Sequence, residues 1–139
     1  MLKQISVFLP NQPGILAKFS KVLLDNNINM RAISVADTAD YGILRIIIQQ
    51  DKIDECVKIL KDANYLVSLT DVIAVEIPDK PGALFEIATI LGEESVNIEY
   101  LYSTILKEEA IIVLRIDNAD KAAKILEKKG VKLIGSKDF

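Results

Sequence analysis

The sequence contains no histidine, no tryptophan and a single cysteine among its 139 residues. Without an imidazole there is no Ser-His-Asp or Cys-His arrangement, and one thiol does not make an ordinary transition-metal site. A lone cysteine also excludes a disulfide within the chain. These absences exclude most hydrolase and metalloenzyme designs, and we expect no catalytic residue, no metal and no cofactor.

Excess positive charge and long apolar runs are missing as well. There are 17 basic against 20 acidic residues, a formal net charge of -3 and a pI near 5.0, so the chain lacks the positive field that nucleic acid requires. No stretch approaches the roughly 20 apolar residues of a membrane span. Residues 1–9 carry interrupting polar side chains and are closed by Pro10, unlike a signal peptide. We therefore expect a cytoplasmic protein that binds neither nucleic acid nor membrane.

An internal repeat organises the chain. The segment 10–16 reads PNQPGIL, and the segment 78–84, which lies 68 residues later, reads PDKPGAL. The same spacing relates Leu23 to Leu91 and Asn29 to Asn97, before the register shifts to 66 at Asp51 and Asp117. Half of all residues are hydrophobic, which is enough for two small cores. The repeat predicts two domains, at residues 1–69 and 70–139.

Each copy has the same predicted order of elements. An alternating apolar strand precedes the Pro-Gly loop, and an apolar stripe at helical spacing follows it. Two strands, a second helix and a short strand complete the copy. The predicted strands are 4–9, 28–36, 42–49 and 65–69, then 71–77, 96–105, 110–116 and 131–134.

The second helix of the first copy is predicted to begin at Asp51. The corresponding helix of the second copy is predicted to begin at Asp117 or Asn118 and to end at Gly130, while Asn26 and Asn27 end the first helix of the chain.

The order βαββαβ, repeated twice, is typical of the ferredoxin-like α+β fold, with an antiparallel sheet and helices on one of its faces. Residues 68–71 contain neither glycine nor proline, so the last strand of one copy should run almost directly into the first strand of the next. We therefore expect two tandem units packed side by side as a rigid pair.

Several functions of this fold are excluded by missing residues. An RNA-recognition domain needs aromatic residues on its central strands, but the third strand carries Leu44-Arg45-Ile46-Ile47-Ile48. A soft-metal carrier needs a Cys-x-x-Cys pair near the first loop, whereas Cys56 lies on the second helix. An acylphosphatase-like enzyme needs an arginine in the first loop, and neither 10–16 nor 78–84 has one. We therefore predict that the protein is not an enzyme.

The two loops carry a family resemblance. Each copy contains the motif Asn/Asp-x-Pro-Gly-Ile/Ala-Leu. A similar segment follows it at the predicted start of the second strand, Asn27-Ile28-Asn29-Met30 in the first copy and Ser95-Val96-Asn97-Ile98 in the second. This pattern resembles the ACT domain, an amino-acid-sensing module of many biosynthetic enzymes, and two copies cover nearly the whole chain. The resemblance implies βαββαβ units that pair side by side. It also implies a small effector held at their interface by the first loop, the start of the first helix and the second strand.

Elementary chemistry suits these loops to a zwitterion or a carboxylate. Gly14 and Gly82 let a ligand approach the backbone, and the free amides and dipole of the first helical turn favour a carboxylate. Asn11 can donate or accept, whereas Asp79 only attracts an ammonium group. The predicted ligand-binding residues are Asn11, Gln12, Pro13, Gly14, Ile15, Leu16, Asn29 and Met30 in the first copy and Asp79, Lys80, Pro81, Gly82, Ala83, Leu84, Asn97 and Ile98 in the second.

The same residues have structural interpretations, which stay open at this point. A Pro-Gly loop can be turn chemistry alone, leucines at helical spacing can belong to the core, and Asn29 and Asn97 can satisfy backbone groups. Arg45 and Arg115 can bind an anion or lie on the open face of the sheet. Cys56 is interpreted as a small core residue.

Taken together, the sequence predicts a regulatory sensor that binds an amino acid or a related carboxylate and forms a homodimer or a larger homo-oligomer. Differences between Asn11 and Asp79 and between Gln12 and Lys80 predict that the two loops do not bind identically. The alternative is a dedicated regulatory subunit of an amino-acid biosynthetic enzyme, similar to the small subunit of acetolactate synthase. In either case, we expect a regulated enzyme as a possible partner.

Overall fold

The computed structural model describes residues 1–139 as two compact units. One unit contains Lys3–Thr70 and Phe139, and the other contains Asp71–Asp138 with Met1 and Leu2. We call them the first and the second unit. The elements in chain order are β1 (Leu2–Pro10), α1 (Ile15–Asp25), β2 (Met30–Asp37), β3 (Tyr41–Ile48), a 3-10 turn (Gln50–Lys52), α2 (Ile53–Asp62), β4 (Leu66–Ile77), α3 (Ala83–Glu93), β5 (Ile98–Leu106), β6 (Glu109–Ile116), α4 (Ala119–Lys128), β7 (Leu133–Ile134) and a 3-10 turn (Ser136–Asp138).

In the first unit β3 pairs antiparallel with β1 on one side and with β2 on the other. Val7, Leu44 and Val35 are cross-strand neighbours, so they share the face that carries the helices. The core consists of alternate residues of β1 and β3 packed against buried residues of α1 and α2, among them Phe19. The ring of Phe19 meets that of Tyr65 edge-on at 5.4 Å, and burial raises the pKa of Tyr65.

The second unit repeats this arrangement. β6 pairs antiparallel with β4 and with β5, and β7 pairs with β4. Ile73 lies opposite Leu114 as Ile5 lies opposite Ile46, so the repeat spacing of 68 holds across both strands. Alternate residues of β4 and β6 pack against α3 and α4. The predicted α+β, ferredoxin-like βαββαβ order with antiparallel strands is confirmed.

The strand that links the units differs from the prediction of two short strands. β4 runs unbroken from Leu66 to Ile77, because no glycine or proline interrupts it and β-branched residues are frequent in it. The last strand is shorter than predicted, at Leu133–Ile134. Its expected beginning is taken up by the end of α4, where the amide of Val131 donates to the carbonyl of Leu126 at 3.0 Å.

Other predicted starts are displaced for similar local reasons, and β5 begins at Ile98, not at Val96, after Ser95 with its positive φ of 56°. β2 begins at Met30, not at Ile28, because Asn27 has a positive φ of 55° and the amide of Ile28 donates to the carbonyl of Leu23. This arrangement is a helix end of the left-handed type. α2 begins at Ile53, since the preceding Gln50–Lys52 form a 3-10 turn in place of the predicted start at Asp51.

The predicted ends of α1 and α4 are confirmed. Asn26 follows α1 directly, and Asn27 supplies the left-handed residue after it. The side chain of Asn118 accepts from the amide of Lys121 at 3.2 Å and caps the start of α4, and Gly130 after the helix has a φ of 82°. All four α-helices fall short of the length and apolar character that a helix crossing a bilayer would need.

Candidate functional site

The two Pro-Gly loops follow the same backbone path. Gly14 and Gly82 precede α1 and α3 with φ of 83° and 91°, a left-handed conformation that glycine adopts without penalty. In each loop the residue two before the glycine donates its amide to the first proline's carbonyl, at 3.0 Å for Gln12 and 2.9 Å for Lys80. A Cβ built on either glycine meets nothing within 4 Å. The glycines are therefore required by backbone conformation, and the space beside them is open.

The helix starts differ in their charge. Neither α1 nor α3 has a side-chain cap, so no capping side chain accepts a hydrogen bond from the backbone amides of the first turn. The first turn of α1 contains no acidic residue, whereas that of α3 contains Glu86. Because Glu86 already places a negative charge at the positive end of the α3 dipole, a ligand carboxylate is favoured at α1.

A network of hydrogen bonds joins the first loop to the turn between β2 and β3. The side chain of Asn11 donates to the carboxylate of Asp37 at 3.1 Å and to the carbonyl of Thr38 at 3.4 Å. Its backbone amide donates to the carbonyl of Asp40 at 3.0 Å. Asn11 is therefore a positioning residue, which holds the loop and brings a carboxylate next to the start of α1.

These groups surround a cavity of about 100 Å³ in the first unit. One wall is the loop and the start of α1, and the other is the end of β2. Its lining residues are Leu9, Pro10, Asn11, Gln12, Ile15, Leu16, Val35, Asp37 and Gly42. Pro13 and Gly14 complete the same loop and are exposed. The cavity thus presents apolar side chains, one carboxylate and the start of an uncapped helix to a single small space.

Asn29 and Met30 lie at the other end of the sheet. β1 runs toward the loop and α1 runs back, so β2 starts at the far end and only its last residues reach the loop. The eight residues of β2 span roughly 25 Å at the usual rise per residue. Asn29 is exposed, and Met30 packs against the core of the first unit. Within one unit, these two residues therefore do not meet Gly14.

The second unit places its predicted residues in the same way. Asp79, Lys80, Pro81 and Gly82 form the exposed loop, Ala83 is buried and Leu84 is partly exposed at 41%. Asn97 is exposed, and Ile98 packs against the core. Gly82 lines a shallow groove of about 490 Å³, which faces α3 and the end of α4 and does not include Asn97.

Sequence reasoning missed five lining residues of the first cavity, Leu9, Pro10, Val35, Asp37 and Gly42. By strand register, the position of Asp37 in the second unit is Ile105, since Asp37 pairs with Gly42 and Ile105 with Ala110. The available signal was the position of Asp37 directly after the predicted strand 28–36, because in an antiparallel sheet that end of the strand lies beside the loop. Without a register, nothing distinguished Asp37 from an ordinary turn residue.

Other residues that the sequence singled out have structural roles. Cys56 is fully buried, and burial, with a smaller effect of Glu55, raises the pKa of its thiol to about 11. Arg115 forms an ion pair with Glu99 at 3.2 Å and donates to two backbone carbonyls. Cysteine, aspartate and glutamate side chains do not gather anywhere in groups of three that would hold a metal ion.

Comparison with known proteins defines the family. The chain matches the ACT domain pair family over residues 1–139. A crystal structure of a protein from Bacteroides thetaiotaomicron is 40% identical, with a TM-score of 0.90 over 99% of this chain and 94% of that chain. The ligand-free regulatory subunit of aspartate kinase from Thermus thermophilus has the same fold, with 19% identity, a TM-score of 0.69 and 91% of each chain covered. No curated protein sequence matches the chain.

Proposed function

The chain belongs to the ACT domain pair family, and we propose that it is a non-catalytic sensor that binds an amino acid at the loop between β1 and α1 of the first unit. One observation carries the proposal. The uncapped start of α1 and the carboxylate of Asp37 face the same small cavity. The helix amides suit the ligand carboxylate, and Asp37 suits its ammonium group.

The first unit is favoured over the second as the binding unit. The first turn of α1 has no acidic side chain, whereas Glu86 in α3 opposes a carboxylate. At the position of Asp37, the second unit has Ile105, which cannot pair with an ammonium group. Asp79 to Leu84, with Asn97 and Ile98, therefore remain a predicted second site of different specificity.

The size of the cavity supports a site that two copies complete. About 100 Å³ is well below the roughly 300 to 1,000 Å³ of typical ligand pockets. β2 pairs with β3 alone, and its exposed Ile33 and Val35 make it a pairing edge. Antiparallel pairing of two β2 strands would bring Asn29 and Met30 of a second copy to the loop. We therefore propose a homodimer whose interface contributes to each site.

Titration against a panel of amino acids, followed by thermal unfolding and calorimetry, tests binding. Saturation at 100 times Kd should add about 2.7 kcal/mol to the free energy of unfolding. Asp37→Asn keeps an oxygen that accepts from Asn11 but removes the charge, and it should weaken binding about tenfold or more. Asp79→Asn, in the second unit, is the matched control and should leave this affinity unchanged. A folded protein that responds to no amino acid contradicts the proposal.

Sedimentation velocity tests the homodimer separately. A monomer at all concentrations, with and without a bound amino acid, would be inconsistent with the shared site. The regulatory-subunit alternative predicts that a tagged chain copurifies with an amino-acid biosynthetic enzyme from its own cells. It further predicts that the amino acid found by titration changes the activity of that enzyme.

A further inference from the structure

A larger groove lies on the other face of the sheet in the first unit. It has a volume of about 570 Å³ and is lined by Phe8, Ala36, Asp37, Thr38, Tyr41, Ile43, Arg45 and Leu66. Phe8 and Ile43 alternate with the core residues Val7 and Leu44, so they point away from the helices. We call this cavity the open-face groove. Asp37 stands at its rim and also lines the loop cavity.

The groove arises from two cross-strand rows of side chains. Phe8, Ile43 and Ala36 form one row, and Ser6, Arg45 and Ser34 form the next. Ala36 is small, so the large side chains beside it enclose space. Three of those large side chains are well exposed, with Phe8 at 43%, Tyr41 at 61% and Leu66 at 67%.

A cluster of exposed large apolar groups around one concavity is unusual for a surface that contacts only water. The volume of the groove falls within the usual range for ligand pockets, which are mostly apolar with a few polar groups.

The second unit shows that the fold does not require these residues. By strand register, Phe8 corresponds to Glu76, Arg45 to Val113 and Tyr41 to Glu109. Glu76 forms an ion pair with Lys132 at 2.8 Å. The core positions that alternate with these residues along the strands are apolar in both units, as Leu44 and Ile112 are. The helix-facing side is therefore preserved, while the open face differs. The residues that line the groove are therefore particular to the first unit.

Charge selects the class of ligand. Arg45 is the single cation among the lining residues, and it is half-buried. Its guanidinium carries five donors in a planar fork that matches a carboxylate. Ile43 lies two residues along β3 from Arg45, roughly 7 Å away. We propose that the open-face groove is a second binding site, for a carboxylate that carries an aryl or branched alkyl group a few bonds from its charge.

In this site Arg45 binds the carboxylate and Phe8, Ile43 and Leu66 contact the apolar group. Tyr41 also lines the groove. Asp37 at the rim disfavours a second negative charge, so the ligand is a monocarboxylate. The proposal is independent of amino-acid binding at the loop, because the two cavities lie on opposite faces of the sheet and share only Asp37.

The test uses isotope-labelled full-length protein and amide chemical shifts. Phenylbutyrate is the probe, and phenylbutanol is its neutral analogue. For a ligand of this size, we expect a Kd on the order of 1 mM. Saturable shifts should centre on Phe8, Ile43 and Arg45. The affinity for phenylbutanol should be lower by about tenfold or more.

Two variants sharpen the assignment. Arg45→Val introduces the residue that the second unit tolerates at this position, and it should weaken phenylbutyrate binding about tenfold or more. Lys18→Gln removes one positive charge from the exposed side of α1 and should leave the Kd unchanged.

Several results would overturn the proposal. Phenylbutanol could bind as tightly as phenylbutyrate, or folded Arg45→Val could bind phenylbutyrate as tightly as the wild type. The shifts could also map outside the open-face groove, or phenylbutyrate could cause no saturable shift. A concentration-dependent shift of the groove amides without any probe, together with dimerisation lost in Phe8→Glu, would instead identify this face as a contact between copies and would also refute the ligand site.

Discussion

Replacing Gly14 with alanine isolates the backbone requirement of the first loop. Gly14 has a φ of 83° and a ψ of -9° directly before α1, and a Cβ added there meets no atom within 4 Å. The new methyl group therefore causes no clash. Any loss of stability must come from holding an alanine in the left-handed region.

The magnitude follows from two opposing effects. The left-handed conformation costs a residue with a Cβ about 1 to 2 kcal/mol. Alanine also reduces the conformational freedom of the unfolded chain, which raises the free energy of unfolding by roughly 0.4 to 1 kcal/mol. We expect Gly14→Ala to lower the free energy of unfolding by about 1 kcal/mol. Gly14→Asn should lower it less, because asparagine tolerates this region better.

Gly92→Ala is the matched control. Gly92 lies inside α3 and its Cβ also meets nothing within 4 Å, but its φ is not positive. Alanine in a helix interior is favoured over glycine by about 1 kcal/mol, so this variant should be more stable than the wild type. Urea unfolding followed by circular dichroism measures both, and the two free energies should differ by about 2 kcal/mol. Equal stability of the two variants, or the reverse order, would refute the strain argument.

Three further predictions concern stability. The thiol of Cys56 should resist alkylation in the folded protein at pH 8 and react on unfolding. Because its folded pKa of about 11 exceeds the ordinary 9.0, its contribution to stability is complete below pH 9 and is lost as the pH rises toward 11. A pH series of urea unfolding curves should show this loss of stability, and Cys56→Ala should abolish it. Asn118→Ala should cost about 1 kcal/mol through the lost cap of α4, whereas Asn118→Asp should not. Leu23→Ala and Leu91→Ala, at equivalent and almost fully buried positions, should each cost about 2 to 5 kcal/mol in the same assay, and a negligible loss in either would contradict the assigned cores.

The two units illustrate how a repeat diverges. Their cores keep apolar residues at matching positions, since both must cover one face of a sheet with two helices. The side of the sheet away from the helices differs instead, with Arg45 replaced by Val113, and so does the loop region, with Asp37 replaced by Ile105. Both proposed sites use residues from this divergent set, so each is assigned to the first unit.

The sequence by itself determined the fold and the repeat, because periodicity, caps and turn residues are local signals. Alternating strands, the apolar stripe after each Pro-Gly loop and a helix start at Asp117 or Asn118 follow from the sequence alone, and the structure identifies Asn118 as the cap. Local signals are weaker at element ends: the apolar pattern predicts strand at Ile28, whereas the amide of Ile28 completes the end of α1.

Only the tertiary structure decided which residues meet. Asn11 and Asp37 are 26 residues apart, and their hydrogen bond exists because antiparallel β2 returns its end to the loop. The same topology carries Asn29 to the far end of the sheet. Strand register also decides which alternating side chains share a face, and a shift of one residue would exchange the two faces. For this reason neither the loop cavity nor the open-face groove could be derived from residue types and spacing alone.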